Sequence, residues 1–353
     1  MKGDRVVPAP ELRAFFSRVL EAVGLRPPEA EIVADPLVWC ELRGNEPHGV
    51  SRLPAWVARL RAGGSPPEAV PTVIASTNTT AVMDARAALG HLAATRAMEL
   101  AVEKASRYHL GAVVVRNSSS LGAVGYYPLI AVRRQLIGLT ITNSMPLMAP
   151  WGGAAKLLGN QAYAIGCPAG RHFPLLLDTS NTATSWARIK LARERGEKLA
   201  PGLALDQDGR PTIDPARALE GLLLPAGGHK GYGLALIWEV LTGVLAGMAF
   251  GPNVGSHEAL DRPQELAHFA LALDPSAFLP LDQFKVRMDS LIDQLHTVPK
   301  APGVDRVYVP GERGFLLAQE REREGIPLSA RRLSELRKLA EQVGVSPLLE
   351  PPA

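Results

Sequence analysis

Between residues 80 and 178 short apolar runs alternate with stretches of helical period, whereas both ends of the chain carry helical patterns alone. AVMDA (81–85), LGAVVV (110–115), LIGLTIT (136–142) and LLLD (175–178) read as strands, with helices expected over 90–107 and 122–134. A charged helix near 182–196, a turn-rich loop (LAPGLALDQDGRPTIDP), a strand AHFALALD (267–274) and a helix over 282–296 follow. Alternation of this kind predicts an α/β layer structure. At the N-terminus Leu12, Phe15, Phe16, Val19, Leu20 and Val23 recur at helical spacing up to Gly24, a second helix spans 28–43 with a bend at Pro36, and a third spans 55–62. The tail, 314–344, returns to amphipathic helices. Strands are therefore expected only in the middle: a helical domain built from 1–75 and 280–353, with an α/β domain, 76–279, inserted in it.

A chain of 353 residues that is 46% hydrophobic and 21% charged has ample material for a core. Its net charge is only +3, and no dense basic stretch is interleaved with aromatics, which argues against a nucleic-acid partner. The most basic run, RIKLARERGEK (188–198), fits a solvated helix face or an anion site. Cys40 and Cys167 stand far apart, without partners at metal-ligand spacing, as in a reducing compartment. MKGDRVVPAPELRAFF lacks the apolar core of a signal peptide, so a cytoplasmic protein is expected. YGLALIWEVLTGVLAGMAF (232–250) contains Glu239 and three glycines and reads as a buried helix rather than a membrane span.

The phosphate-loop and dinucleotide fingerprints are missing, as are HExxH and GxSxG, and no metal site is expected. Two constellations remain. In NEPHGVSRLP (45–54), His48 and Arg52 are four apart, and on a helix their Cβ atoms would lie about 5–6 Å apart on one face. That pair suits a small α-substituted acid: a guanidinium grips a carboxylate with two parallel hydrogen bonds, and an imidazole exchanges a proton with the adjacent oxygen or nitrogen. Pro54 opposes a long helix here, and a turn-capping histidine with a surface arginine remains open. In PAGGHKGYG (225–233), glycines around His229 and Lys230 either let backbone approach an anionic ligand or form a flexible loop. Ser118, Ser119 and Ser120 follow the strand at 110–115 where a ligand would sit, but serines alone cannot move protons at neutral pH. The histidines at 91, 109, 172, 257, 268 and 296 are isolated and read as structural or solvent-facing.

HGVSRLPAWVARLRAGG, GHLAATRAMELA, ITNSMPLMAPWGG, DQDGRPTIDP, GGHKGYGLAL and VPGERG occur in an order that resembles the malate/L-lactate dehydrogenase family, over about residues 10–340. The resemblance implies a non-Rossmann, largely antiparallel sheet flanked by helices that binds NAD or NADP without a glycine fingerprint, in a homodimer acting on a small carboxylic acid. It places Asp178, Thr179, Ser180, His229, Lys230, Gly311, Glu312 and Arg313 at the cofactor and Asn143 and Ser144 beside the nicotinamide. His48 takes the proton-transfer position, Arg52 the substrate carboxylate, and Asn160 the substrate pocket.

The same resemblance exposes four departures. A histidine that the family places near the nicotinamide, in an asparagine–serine–any residue–histidine turn, is here Ser120. Pro47 replaces a serine, Gly159-Asn160-Gln161-Ala162 replaces Gly-Thr-Asn-Pro, and Ala187-Arg188 replaces Gly-Lys, which raises the question of a 2′-phosphate contact at Arg188. The leading expectation is a 2-hydroxy acid dehydrogenase using His48 for proton transfer, with Ser120 orienting the carboxamide or the substrate. Two alternatives follow from the missing histidine: reduction of a cyclic imine acid, whose iminium is already protonated, or loss of redox catalysis altogether.

Overall fold

The computed structural model describes residues 5–349, so residues 1–4 and 350–353 of the expected helical domain lie outside the described residues. The chain begins with β1 (Arg5–Val7), α1 (Ala9–Ala22), α2 (Pro27–Leu42) and α3 (Leu53–Ala62). Each of these helices has proline in its first turn, where the missing N–H costs nothing. Pro54 falls there too, and so starts α3 instead of breaking a helix.

The middle of the chain supplies β2 (Thr72–Ser76), β3 (Thr80–Asp84), α4 (Gly90–Tyr108), β4 (Leu110–Ser118), α5 (Pro128–Val132), β5 (Ile137–Thr142), β6 (Tyr163–Cys167) and β7 (Leu175–Thr179). There follow α6 (Trp186–Arg195), β8 (Ala204–Leu205), β9 (Pro211–Thr212), α7 (Pro215–Glu220), β10 (Leu222–Leu223) and α8 (His229–Glu239). The last elements are β11 (Leu266–Leu273), α9 (Leu281–Thr297), α10 (Glu312–Glu324), β12 (Ile326–Leu328) and α11 (Ala330–Val343).

Seven strands form one sheet in the order β2-β3-β4-β11-β5-β6-β7. Only β3 and β4 run parallel, joined through α4, and every other neighbouring pair is antiparallel. The expected largely antiparallel sheet is therefore present, with β11 at its centre. Helix α4 packs closely because its buried face is small: Ala93, Ala94, Ala97, Ala101 and Ala105 lie on it, and any Cβ at Gly111 of β4 would collide with the Ala101 carbonyl. A separate apolar core joins Leu12, Phe15 and Phe16 of α1 with Val33 and Leu37 of α2, Leu53 and Trp56 of α3, and Leu336 and Leu339 of α11.

Three expectations are corrected. Strands are not confined to the middle: β1 pairs antiparallel with β12, Val7 opposite Ile326, in runs too short to leave a periodic signal. The helix expected over 122–134 is interrupted; Gly122 turns at φ +72°, a 3₁₀ turn spans Val124–Tyr126, and α5 starts only at Pro128. Residues 232–250 are not a buried helix. Helix α8 passes into a π-helical turn, Val240–Val244, with one side against the sheet, where Trp238, Leu241 and Met248 pack, while Leu234, Ile237, Val244, Leu245 and Phe250 are exposed. No helix among the described residues is long and apolar enough to cross a membrane.

Candidate active site

A cleft of about 860 Å³ opens where the loop before α3 meets the turn after β4, the end of β5 and the end of β7. His48, Arg52, Ser120, Asn143, Ser144, Asn160, Asp178, Thr179 and Ser180 all line it. The helix assumed for His48 and Arg52 is absent. Two 3₁₀ turns, Glu46–His48 and Val50–Arg52, are separated by Gly49 at φ −98°, ψ −130°, and both side chains still face the cleft.

The loop is held from below by Glu41, a fully buried carboxylate near the end of α2. Its Oε1 accepts the Val50 N–H at 2.7 Å and pairs with Arg332 of α11, and any side chain at Gly49 would run into this carboxylate. Arg332 also reaches Glu46 at 3.8 Å. A buried ion pair thus fixes the backbone between His48 and Arg52, and neither partner carried a local signal in the sequence.

Burial, with the Arg52 charge beside it, lowers the His48 pKa to about 4, so the imidazole is a neutral base at neutral pH. Arg52 lies over the Trp56 ring at 5.4 Å, and Trp56 in turn meets the edge of His91 at 4.9 Å between centroids.

The three serines have separate tasks. Ser118 Oγ bonds His268 Nε2 at 2.8 Å inside the core. Ser119 Oγ accepts the Gly90 N–H at 2.9 Å, closing the start of α4. Only Ser120 lines the cleft, its N–H donating to Gln264 Oε1 at 2.9 Å. Below this turn lies His91, buried, with neither ring nitrogen partnered among the described residues. Its Nε2 would be 2.7 Å from any Cβ at Gly122. Burial lowers the His91 pKa to about 3 and the His268 pKa to about 4.

On the other wall, Ser144 Oγ donates to Asn160 Oδ1 at 2.7 Å and accepts the Asn160 N–H at 3.1 Å. Asn143 is occupied within the fold, its Oδ1 accepting from Ala267 N at 2.9 Å and its Nδ2 donating to Ala249 O at 3.3 Å. Gln161 bridges Ser144 N, at 3.0 Å, to the buried Glu239 carboxylate. Asp178 opens to the cleft but is enclosed by protein on its remaining sides, which raises its carboxyl pKa to about 6 against the opposing pull of the Gly125 N–H and Arg43.

His229, Lys230, Gly311, Glu312 and Arg313 do not line this cleft. His229 starts α8 with its ring 6.3 Å from that of Trp151. Glu312 is buried and satisfied by His296, Arg306 and the Val309 N–H, while Arg313 stacks on Tyr308 at 4.4 Å. Conversely, Arg188 and His257 do line the cleft. The sequence shows His257 as isolated because its neighbours in the cleft are distant along the chain.

A sequence model described as malate/L-lactate dehydrogenase matches residues 7–337. The malate dehydrogenase of Pyrococcus abyssi is 35% identical over 350 residues, 97% of this chain and 96% of that protein. The ureidoglycolate dehydrogenase (NAD(+)) of Escherichia coli O157:H7 is 31% identical over 318 residues, 90% of each chain. Among solved structures, the sulfolactate dehydrogenase from Methanocaldococcus jannaschii superposes with a TM-score of 0.91 at 32% identity, covering 97% of this chain and 98% of that one.

Proposed function

The chain belongs to the malate/L-lactate dehydrogenase family, and from that membership we propose that it is an NAD(P)-dependent oxidoreductase acting on a small 2-hydroxy acid or its 2-oxo acid. The observation that carries this reading is the convergence of His48, Arg52, Ser120 and the Asp178–Ser180 strand end on one cleft. Its volume and its lining of hydroxyls and amides suit a dinucleotide with a small acid beside it. Ser144, Asp178, Thr179 and Ser180 would hold the nicotinamide half, with Asn143 fixing the wall beside it through its bonds to Ala267 and Ala249 and with His229, Lys230 and the Gly311–Arg313 turn serving the outer parts. When bound, the cofactor supplies the hydride acceptor or donor.

Arg52 grips the substrate carboxylate through both arms of its guanidinium. In oxidation, His48 accepts the hydroxyl proton as the C2 hydrogen leaves with its electron pair; in reduction, protonated His48 returns that proton to the oxygen. A carboxylate on Arg52 also offsets the charge that, with burial, holds His48 down, so substrate binding itself makes the base stronger. The Ser120 hydroxyl orients the substrate oxygen, and Asn160, tied to Ser144, lines the acid's pocket.

The test is oxidation of NADH and of NADPH by the purified protein, with pyruvate, oxaloacetate, piperideine-2-carboxylate and pyrroline-2-carboxylate in parallel. Turnover of an oxo acid is expected. Turnover of the cyclic imines alone would replace this reading with an imine reductase, and cofactor binding without any turnover would leave a ligand-binding member of the family.

We also infer a homodimer, from the exposed apolar face of Leu234, Ile237, Val244, Leu245 and Phe250 on and after α8. Large apolar side chains exposed together along one segment commonly mark an interface. Light scattering is expected to give twice 37.7 kDa for the parent, and Ile237→Glu with Leu245→Glu is expected to shift it toward 37.7 kDa. A monomeric parent would remove the dimer from the reading.

A further inference from the structure

Arg52 is the N-cap residue of α3 and Trp56 stands one turn further on, so their side chains are neighbours on one face. The guanidinium carbon lies 5.4 Å from the centroid of the indole. Among the described residues no carboxylate forms an ion pair with Arg52, and this ring is the direct partner of its side chain. The indole is fixed in its turn. Trp56 is buried in the N-terminal core beside Leu53 and Leu92, and the His91 ring meets its edge at 4.9 Å with 85° between the planes. Its Nε1 has no acceptor among the described residues, so packing rather than a hydrogen bond sets its orientation.

Two things work against a cation at this place. Burial lowers the Arg52 pKa, and the positive end of α3 starts at this residue. The imidazoles of His48 and His91 nearby are neutral and supply no negative charge. An acidic neighbour would be the common remedy, but it would fill the two parallel N–H groups that a substrate carboxylate needs, and the substrate would then have to displace it. An aromatic face attracts the guanidinium without occupying that fork. Trp56 does not line the cleft, so whatever it contributes to binding passes through Arg52.

We propose that Trp56, braced at its edge by His91, is the positioning residue for Arg52: its ring face holds the guanidinium in place of a carboxylate and leaves the fork open for the substrate. The proposal rests on the dehydrogenase reading above, in which Arg52 receives the carboxylate of the acid. The substrate anion is then the first full negative charge that the guanidinium meets, and it offsets both the burial and the helix end. Loss of the ring leaves the charge in place but lets the long side chain leave its bound orientation, so affinity for the acid falls while the proton-transfer group, His48, is untouched.

The experiment measures binding of oxamate, a carboxylate-bearing mimic of a 2-oxo acid that accepts no hydride, to the NADH-loaded protein by calorimetry. It compares the parent with Trp56→Leu and Trp56→Phe, each alone and combined with Arg52→Gln. Trp56→Leu should weaken oxamate about 10-fold, within the range of a desolvated cation–π pair, and raise KM for the 2-oxo acid by a similar factor. NADH affinity should stay within about twofold, and kcat should change far less than KM. Trp56→Phe keeps a weaker ring face and should fall between the parent and the leucine variant; it carries the comparison if the leucine variant does not fold. In the Arg52→Gln background either substitution should change oxamate affinity by less than about twofold, because the group it acts through is gone. A ring that merely supported the fold would weaken binding equally in both backgrounds. Equal losses there, or no loss at all, with oxamate still held by Arg52, would overturn the role of Trp56 and leave the dehydrogenase reading intact. Oxamate that does not bind the parent, or binds Arg52→Gln as well as the parent, would instead overturn the assignment of Arg52 to the carboxylate, and this proposal with it.

Discussion

Replacing His48 by glutamine is expected to lower kcat for oxidation of the 2-hydroxy acid by about 10²–10⁴-fold, the usual range for a general acid–base contribution. Glutamine keeps a hydrogen-bonding end in the cleft but cannot take up a proton. Arg52 is untouched, so KM should change far less than kcat, and cofactor binding followed by fluorescence should stay as in the parent. The pH profile carries a second signature. An unperturbed histidine would bend the profile near about pH 6.5, whereas burial and Arg52 place His48 at about 4 in the free enzyme. The parent's kcat/KM for oxidation should therefore show no His48 inflection between pH 9 and 5.5, because the base form is already populated throughout. A variant with kcat within threefold of the parent (about 0.6 kcal/mol) would remove His48 from the chemistry.

The parts of this molecule legible in the sequence are those whose signal is local. Alternation of apolar runs and helical periods located α4, β4, β5 and β11, because a strand or helix buried on one face repeats its own pattern along the chain. β12 leaves no such pattern, being three residues long and acquiring its partner, β1, from the opposite end of the chain. Residues 232–250 are less buried than their apolar content suggests, since that content says how much of a helix prefers to leave water but not which body covers it.

The site shows the same division. His48 and Arg52 stand four residues apart, and the motif around them resembles a family, so both were legible, although the helix assumed between them is two 3₁₀ turns. Glu41 and Arg332 are separated by 291 positions, and nothing at either position announces that they meet beneath Gly49. His257 likewise reaches Met145 across 112 positions. Among the three adjacent serines, composition could not tell which one faces the cleft; that depends on His268 and on the start of α4, which take the first two inward.

The two histidines buried beneath the site should make the fold acid-sensitive well above the carboxylate range. His91 and His268 are each 1% exposed, with pKa values lowered by burial to about 3 and about 4. Unfolding returns both to about 6.5. Below that pH the unfolded chain binds more protons than the folded one, so stability is complete above about pH 7 and declines as pH falls toward the folded values. At pH 5 each group has moved about 1.5 units below its unfolded pKa, which is about 2 kcal/mol, or about 4 kcal/mol for the pair. Asp178, whose carboxyl is raised to about 6, acts in the opposite sense by taking up a proton in the folded state. A direct comparison removes that offset: His91→Gln deletes one titrating group that has no partner to lose among the described residues. Denaturant unfolding at fixed protein concentration should show the parent losing about 2 kcal/mol more than the variant between pH 8 and pH 5. Parallel losses in the two proteins would mean that His91 titrates in the folded state as it does in the unfolded one, and that the ring has found solvent or a partner under the Ser120 turn.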